Sequence, residues 1–101
     1  MNAEDDWILR AVSRLGAALA AVIAGARQDD PQRDAIAHEA EGIAGLDVST
    51  ARRFSAASLV SMMRSGDRLG EERLAALVIA FEARGDAERA GALRAAIERR
   101  G

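Results

Sequence analysis

His38 is the only histidine in the chain, and Asp34 and Glu41 stand four and three residues from it, with Asp30 one turn further back. On a helix, spacings of 3 and 4 bring side chains to one face, and an imidazole among carboxylates is a donor set that a divalent cation accepts. A typical site would add a second histidine or a cysteine, and neither exists here. His38-Glu39 does not open a His-Glu-x-x-His zinc motif either, because position 42 is glycine. A weak metal-binding or small-ligand-binding bundle on the Asp34–His38 face is the most this cluster supports. A solvated helix face is its plainer reading, and no metal or other cofactor is expected.

Two further clusters have types that could do chemistry. Ser55, Ser58, Ser61 and Ser65 lie close to arginines, but a serine nucleophile needs a positioned base with its own orienting partner, and capping explains these serines more simply. Arg52, Arg53, Arg64 and Arg68 form the densest basic neighbourhood, offset locally by Asp47 and Asp67. They define the alternative reading of a nucleic-acid-binding regulatory module. Against it stand a net charge of −2 and only three aromatic residues, which leave no platform for stacking bases. With no glycine-rich phosphate loop and no cysteine nucleophile, the chain is expected not to be an enzyme.

The elements that must position these residues come from a chain of 101 residues, the size of a single domain, read here as one all-helical unit over 1–101. Of its 50 hydrophobic residues 24 are alanine, so the core must be thin. Small domains with thin cores often gain stability by associating. All 14 basic residues are arginine, and the absence of cysteine fits a cytoplasmic location.

LGAALAAVIAGA, residues 15–26, is an uncharged run fenced by Arg14 and Arg27. It is shorter than the roughly 20 residues of a membrane span, so no membrane partner is expected. Ala24-Gly25-Ala26 has the form of an export cleavage site, yet Glu4, Asp5 and Asp6 stand where a leader carries positive charge. The spacing of Ile8, Val12, Leu15, Leu19, Val22 and Ala26 predicts an amphipathic helix, capped by Asp5 or Asp6, with Trp7, Ala11 and Ile23 widening its inward stripe. Trp7 is read as an anchor covering the end of the core, with an interface hot spot as its alternative. The opposite face, Gly16, Ala17, Ala20, Ala21, Ala24 and Gly25, is smooth enough for a second helix to approach closely.

After this helix, Asp30-Pro31 predicts a helix start, and a second helix over 31–44 with Ile36, Ala40 and Ile43 inward ends at Gly45, forming a hairpin with the first through Gln28–Asp30. A short helical turn ending near Phe54 precedes a helix capped by Ser55 and ended by Gly66. Leu69 and Leu74 suit a hydrophobic staple around a Gly70 cap, so a longer helix is expected from Glu71, burying Leu74, Leu77, Val78 and Phe81. Gly85-Asp86 closes it and caps a last helix with Ala90, Leu93 and Ile97 inward and arginines at its end.

Leu19, Val22, Ile23, Ala26 and Ala35 recur 55 residues later as Leu74, Leu77, Val78, Phe81 and Ala90. The second set, with Gly85-Asp86, resembles a tetratricopeptide hairpin, although Arg94 occupies a usually apolar position and the spacing departs from about 34 residues. Asp6-Trp7-Ile8-Leu9-Arg10, Gly45-Leu46-Asp47, Leu59-Val60, Met63-Arg64-Ser65-Gly66 and Glu72-Arg73-Leu74 together resemble a small, uncharacterised bacterial family of all-helical, tetratricopeptide-like proteins. The chain departs from that family's pattern in having Gly70-Glu71 where Asp-Pro is usual. These motifs are caps and core positions, so the resemblance implies a small bundle of antiparallel helical hairpins and no reaction. The expectation is a non-enzymatic protein-interaction or scaffold domain, self-associating or bound to another protein. Its interface would use the back of the first helix, with Trp7 and Leu9 at the rim of Gly16, Ala17, Ala20, Ala21 and Ala24.

Overall fold

The computed structural model describes residues 3–24, 30–66 and 68–99. Among them it contains six helices and no strand: α1 (Ala3–Ala24), α2 (Asp30–Ala44), α3 (Val48–Ala51), α4 (Ala56–Gly66), α5 (Gly70–Ala83) and α6 (Ala87–Glu98). Their ends have local causes. Gly45 and Gly85 take φ of +76° and +84°, the left-handed conformation that ends α2 and α5. The Leu46 amide reaches back to the Glu41 carbonyl at 3.3 Å, and the Asp86 amide to the Phe81 carbonyl at 2.9 Å, so both helices close with the same backbone motif. Asp47, Ser55 and Asp86 cap the helices that follow, accepting from the amides of Thr50, Ser58 and Arg89 at 2.8, 3.1 and 3.2 Å.

The core is organised around α5, which packs against all five other helices. A helix apolar on every side belongs in the interior, and Leu74, Ala76, Leu77, Val78, Ile79, Ala80 and Phe81 form an unbroken buried series apart from Ala75. Helices α1 and α2 complete one three-helix group with α5, and α4 and α6 complete another. Sharing one helix flattens the molecule to 38 × 32 × 21 Å. Leu74, Leu77, Phe81 and Leu93 are the largest fully buried side chains, and no polar or charged residue is buried among the described residues.

Several expectations change here. Helix α1 starts at Ala3, so Asp6 lies within its first turn instead of capping it and pairs with Arg10 at 3.5 Å. Leu15, Leu19 and Val22 share the core with Leu77, Val78 and Phe81 as expected, but Ile23 is half exposed, because it stands at the edge of α1's stripe where an open groove separates it from α5. Trp7 is 61% exposed and therefore does not close the end of the core. Gly70 is the first residue of α5 and not its cap; the preceding position is Leu69, which makes no side-chain cap. The reason for glycine at 70 is proximity: a Cβ would lie 2.9 Å from the Met63 carbonyl carbon and closer still to its oxygen. The 55-residue correspondence pairs unlike environments, because Val78 and Ala90 are buried whereas Ile23 and Ala35 are exposed. Ala26, the Gln28 turn and Asp67 lie outside the described residues, as do the side chains of Asp5, Ala24 and Asp30.

Candidate association surface

Helix α1 lies against α2 and α5, and among the described residues Leu9, Ser13, Ala17, Ala20 and Ala21 on its other sides are exposed. Its inward stripe is Ile8, Ala11, Leu15, Leu19 and Val22. At 100° per residue, Leu9, Gly16 and Ile23 form a second line beside it, since steps of seven residues drift by only about 20°. Leu9 is 49% and Ile23 50% exposed, and Gly16 between them is half-buried. A Cβ on Gly16 would stand 3.7 Å from Cδ1 of Ile79, which puts this line on the α5 flank of the helix. A groove of about 320 Å³ runs there, lined by Gly16, Leu19, Ala20 and Ile23 of α1 and by Ile79 and Glu82 of α5. The Glu82 carboxylate is held by Arg94 at 2.7 Å.

Trp7 stands about 200° around the helix from Leu9 and faces the other flank. There it joins Ile8, Glu39, Gly42, Ile43 and Arg73 in a recess of about 460 Å³ between α1 and α2. Arg73 donates to the Ile43 carbonyl at 2.7 Å, and Arg14 is bonded to Glu39, so this side is tied together by its own chain. The expected interface set is thus divided. Leu9, Gly16 and Ala20 share the α5 flank, and Trp7 belongs to the α2 flank. Ala17 and Ala21 are exposed between them, and the side chain of Ala24 is outside the described residues. Ile23, assigned from sequence to the core, is the residue that completes the α5-flank line.

The groups with chemical potential are arranged differently from their sequence clusters. Asp34 is bonded to Arg84, and His38 is exposed at the edge of an open recess of about 700 Å³ that also meets Glu41, Asp47, Arg52 and Arg84. Among the described residues no three His, Cys, Asp or Glu side chains gather as a metal site. Polar groups lining that recess satisfy one another. Arg84 donates to Glu41 at 2.9 Å, the second oxygen of Glu41 takes the Val48 amide at 2.8 Å, and Arg52 donates to Asp86 at 3.1 Å. The Arg84 guanidinium is held above its ordinary pKa first by its hydrogen bond to Glu41, with burial opposing and Asp34 adding to it. The Asp47 carboxyl lies below its ordinary value because Thr50 donates to it. For Asp86, partial burial pushes upward but the Arg89 amide and the Arg52 guanidinium outweigh it, and the net shift is downward.

The four arginines of the basic neighbourhood do not act together. Arg52 serves Asp86, whereas Arg64 is bonded to Glu71 and donates to the Ile97 carbonyl at 2.8 Å, tying α4 to α5 and α6. Arg53 and Arg68 are exposed. Guanidinium groups committed to carboxylates within the chain offer little charge to a phosphate backbone. Among the described residues no helix is long and apolar enough to cross a membrane. Comparison with protein-family models, with curated proteins and with solved structures finds no match to this chain.

Proposed function

We propose that this chain is a non-enzymatic protein-association domain, that its binding surface is the α5 flank of α1, and that self-association is its first mode. The observation that carries the reading is the exposure of Leu9 and Ile23 on either side of half-buried Gly16, along a groove whose walls are Ile23 and Ile79. Large apolar side chains grouped on a surface mark interaction sites more often than singly scattered ones do. The thin, alanine-rich core supplies the physical motive, because association buries area that the monomer leaves to water.

The experiment is a comparison of the wild type with a Leu9→Glu/Ile23→Glu variant by light scattering after gel filtration, alongside thermal melts. The reading expects the variant to melt at the wild-type temperature in dilute solution, where both are single chains, and to lose the association that the wild type shows at high micromolar concentration. A variant that no longer folds would place Leu9 and Ile23 in the monomer's core and end the reading.

A further inference from the structure

A second open surface lies in the other three-helix group, where the end of α3, the start of α4 and the first two turns of α6 meet. Ala51 of α3, Ala56 of α4 and Ala92 of α6 each bring only a methyl group to this junction. The space they leave is a notch of about 70 Å³, with the buried side chains of Leu59, Phe81 and Leu93 as its floor and exposed Phe54 and Arg89 on its rim. A dry cavity of roughly 150 Å³ lined by Leu, Ile and Phe takes a benzene ring, so about half that volume suits an aliphatic side chain better than an aromatic one.

The rim is basic. Arg52 and Arg89 both turn to Asp86, at 3.1 and 3.3 Å, and both meet the same oxygen, Oδ2. The other oxygen of Asp86 takes the Arg89 amide. Arg53, beside Phe54, is exposed and makes no ion pair among the described residues. Glu88 stands about 100° around α6 from Arg89 and does not line the notch. Three guanidinium groups against one carboxylate leave two positive charges beside an apolar recess of side-chain size. So few charges, gathered at one point, match one or two carboxylates and not the extended track of a phosphate backbone.

We infer that this notch holds one aliphatic side chain from an acidic segment of a partner protein, a Leu, Ile or Met flanked by Asp or Glu, with the flanking carboxylates on Arg53 and Arg89. The buried side chain supplies the hold, and the arginines select the residues on either side of it. One buried side chain and one or two exposed ion pairs make a weak contact, in the micromolar-to-millimolar range. It goes beyond the association surface on α1, because it uses different helices and a different partner.

Acetylated and amidated pentapeptides Asp-Glu-X-Glu-Asp, with Leu, Ile, Met, Ala or Trp at X, are titrated into the isotope-labelled chain and followed by amide chemical shifts. The expected result is saturable shifts confined to residues 54–59 and 89–93, with Leu, Ile or Met at X binding roughly tenfold more tightly than Ala or Trp. The lysine-flanked series Lys-Lys-X-Lys-Lys should show none, and raising salt from about 50 to about 500 mM should weaken the acidic series several-fold. Ala92→Phe, which fills the notch from its rim, should remove the preference for Leu over Ala. Arg53→Glu/Arg89→Glu should transfer binding to the lysine-flanked series. Thermal melts establish that each variant is folded, and either one suffices if the other does not fold. Leu9→Glu/Ile23→Glu should bind the peptides like the wild type, so failure of the α1 surface and failure of this notch are told apart. Shifts elsewhere on the molecule, equal binding of the Leu and Ala peptides, or no shift from any peptide at millimolar concentration overturns the inference.

Discussion

Arg84, at the C-terminal end of α5, donates to one oxygen of Glu41 at 2.9 Å, and the other oxygen of Glu41 accepts the Val48 amide at 2.8 Å. A single carboxylate in the last turn of α2 thus holds both the end of the central helix and the start of α3. Its side chain is only 10% exposed, so the two bonds are partly sheltered from water. Glu41→Ala is expected to lower stability by about 1 to 3 kcal/mol, because it leaves the Val48 amide and the Arg84 guanidinium without this partner. Urea denaturation checks this, and Glu41→Gln, which keeps an acceptor oxygen, is expected to lose less.

Glycine positions provide a contrast between contact and conformation. Gly70→Ala is expected to destabilise by about 1 to 3 kcal/mol, since the added methyl would press on the Met63 backbone where α4 meets α5. Gly91→Ala, within α6 and with open space around its Cβ position, is expected to stabilise by up to about 1 kcal/mol through helix propensity. Denaturant midpoints of the two variants should move in opposite directions.

Leu77 of α5 and Leu19 of α1 belong to one core, the first fully and the second almost fully buried. Leu77→Ala and Leu19→Ala are each expected to cost about 2 to 5 kcal/mol, whereas Ile23→Ala should cost much less. Equal losses for Leu19→Ala and Ile23→Ala would contradict the assignment of α1's two faces.

Acid stability should follow the caps. The carboxyls of Asp47 and Asp86 are both below their ordinary value in the folded chain, so the unfolded chain binds protons at a higher pH than the folded one. The stability they contribute is fully present above the unfolded carboxyl pKa near 3.9 and is lost as pH falls through the lower folded values. Melting temperature is expected to be flat from neutral pH to about 5 and to drop below about 4, and an Asp47→Asn/Asp86→Asn variant should show a shallower drop. The raised values of Arg64 and Arg84 act only at strongly alkaline pH and leave this window unaffected.

Local punctuation was largely legible in the sequence. Ser55, Gly45 and Gly85-Asp86 act through the few residues beside them, so their roles follow from residue type and spacing alone. The all-helical class followed from the 3.6-residue periodicity. What escaped reading is tertiary. Periodicity identifies an apolar stripe but cannot say which edge of a wide stripe a neighbour covers, and for that reason Ile23 was assigned to the core and Trp7 to its end. The near-continuous apolar run in α5 carries little periodic signal, and its place at the centre emerges only when five helices pack around it. The clamp of Glu41 and Arg84 spans 43 residues, beyond the reach of any helical spacing. Arg52 and Arg64 look like one basic patch because they are near in sequence, whereas of their carboxylate partners Asp86 caps α6 and Glu71 lies in the first turn of α5.

Sedimentation equilibrium of the wild type and of Ile23→Glu, from low to high micromolar concentration, tests the central claim most directly. The account predicts that the apparent mass of the wild type rises with concentration toward that of two chains, while Ile23→Glu stays at one chain's mass and, in dilute solution, melts at the wild-type temperature. A wild type that remains at one chain's mass throughout, or an Ile23→Glu variant that associates equally well, would contradict it.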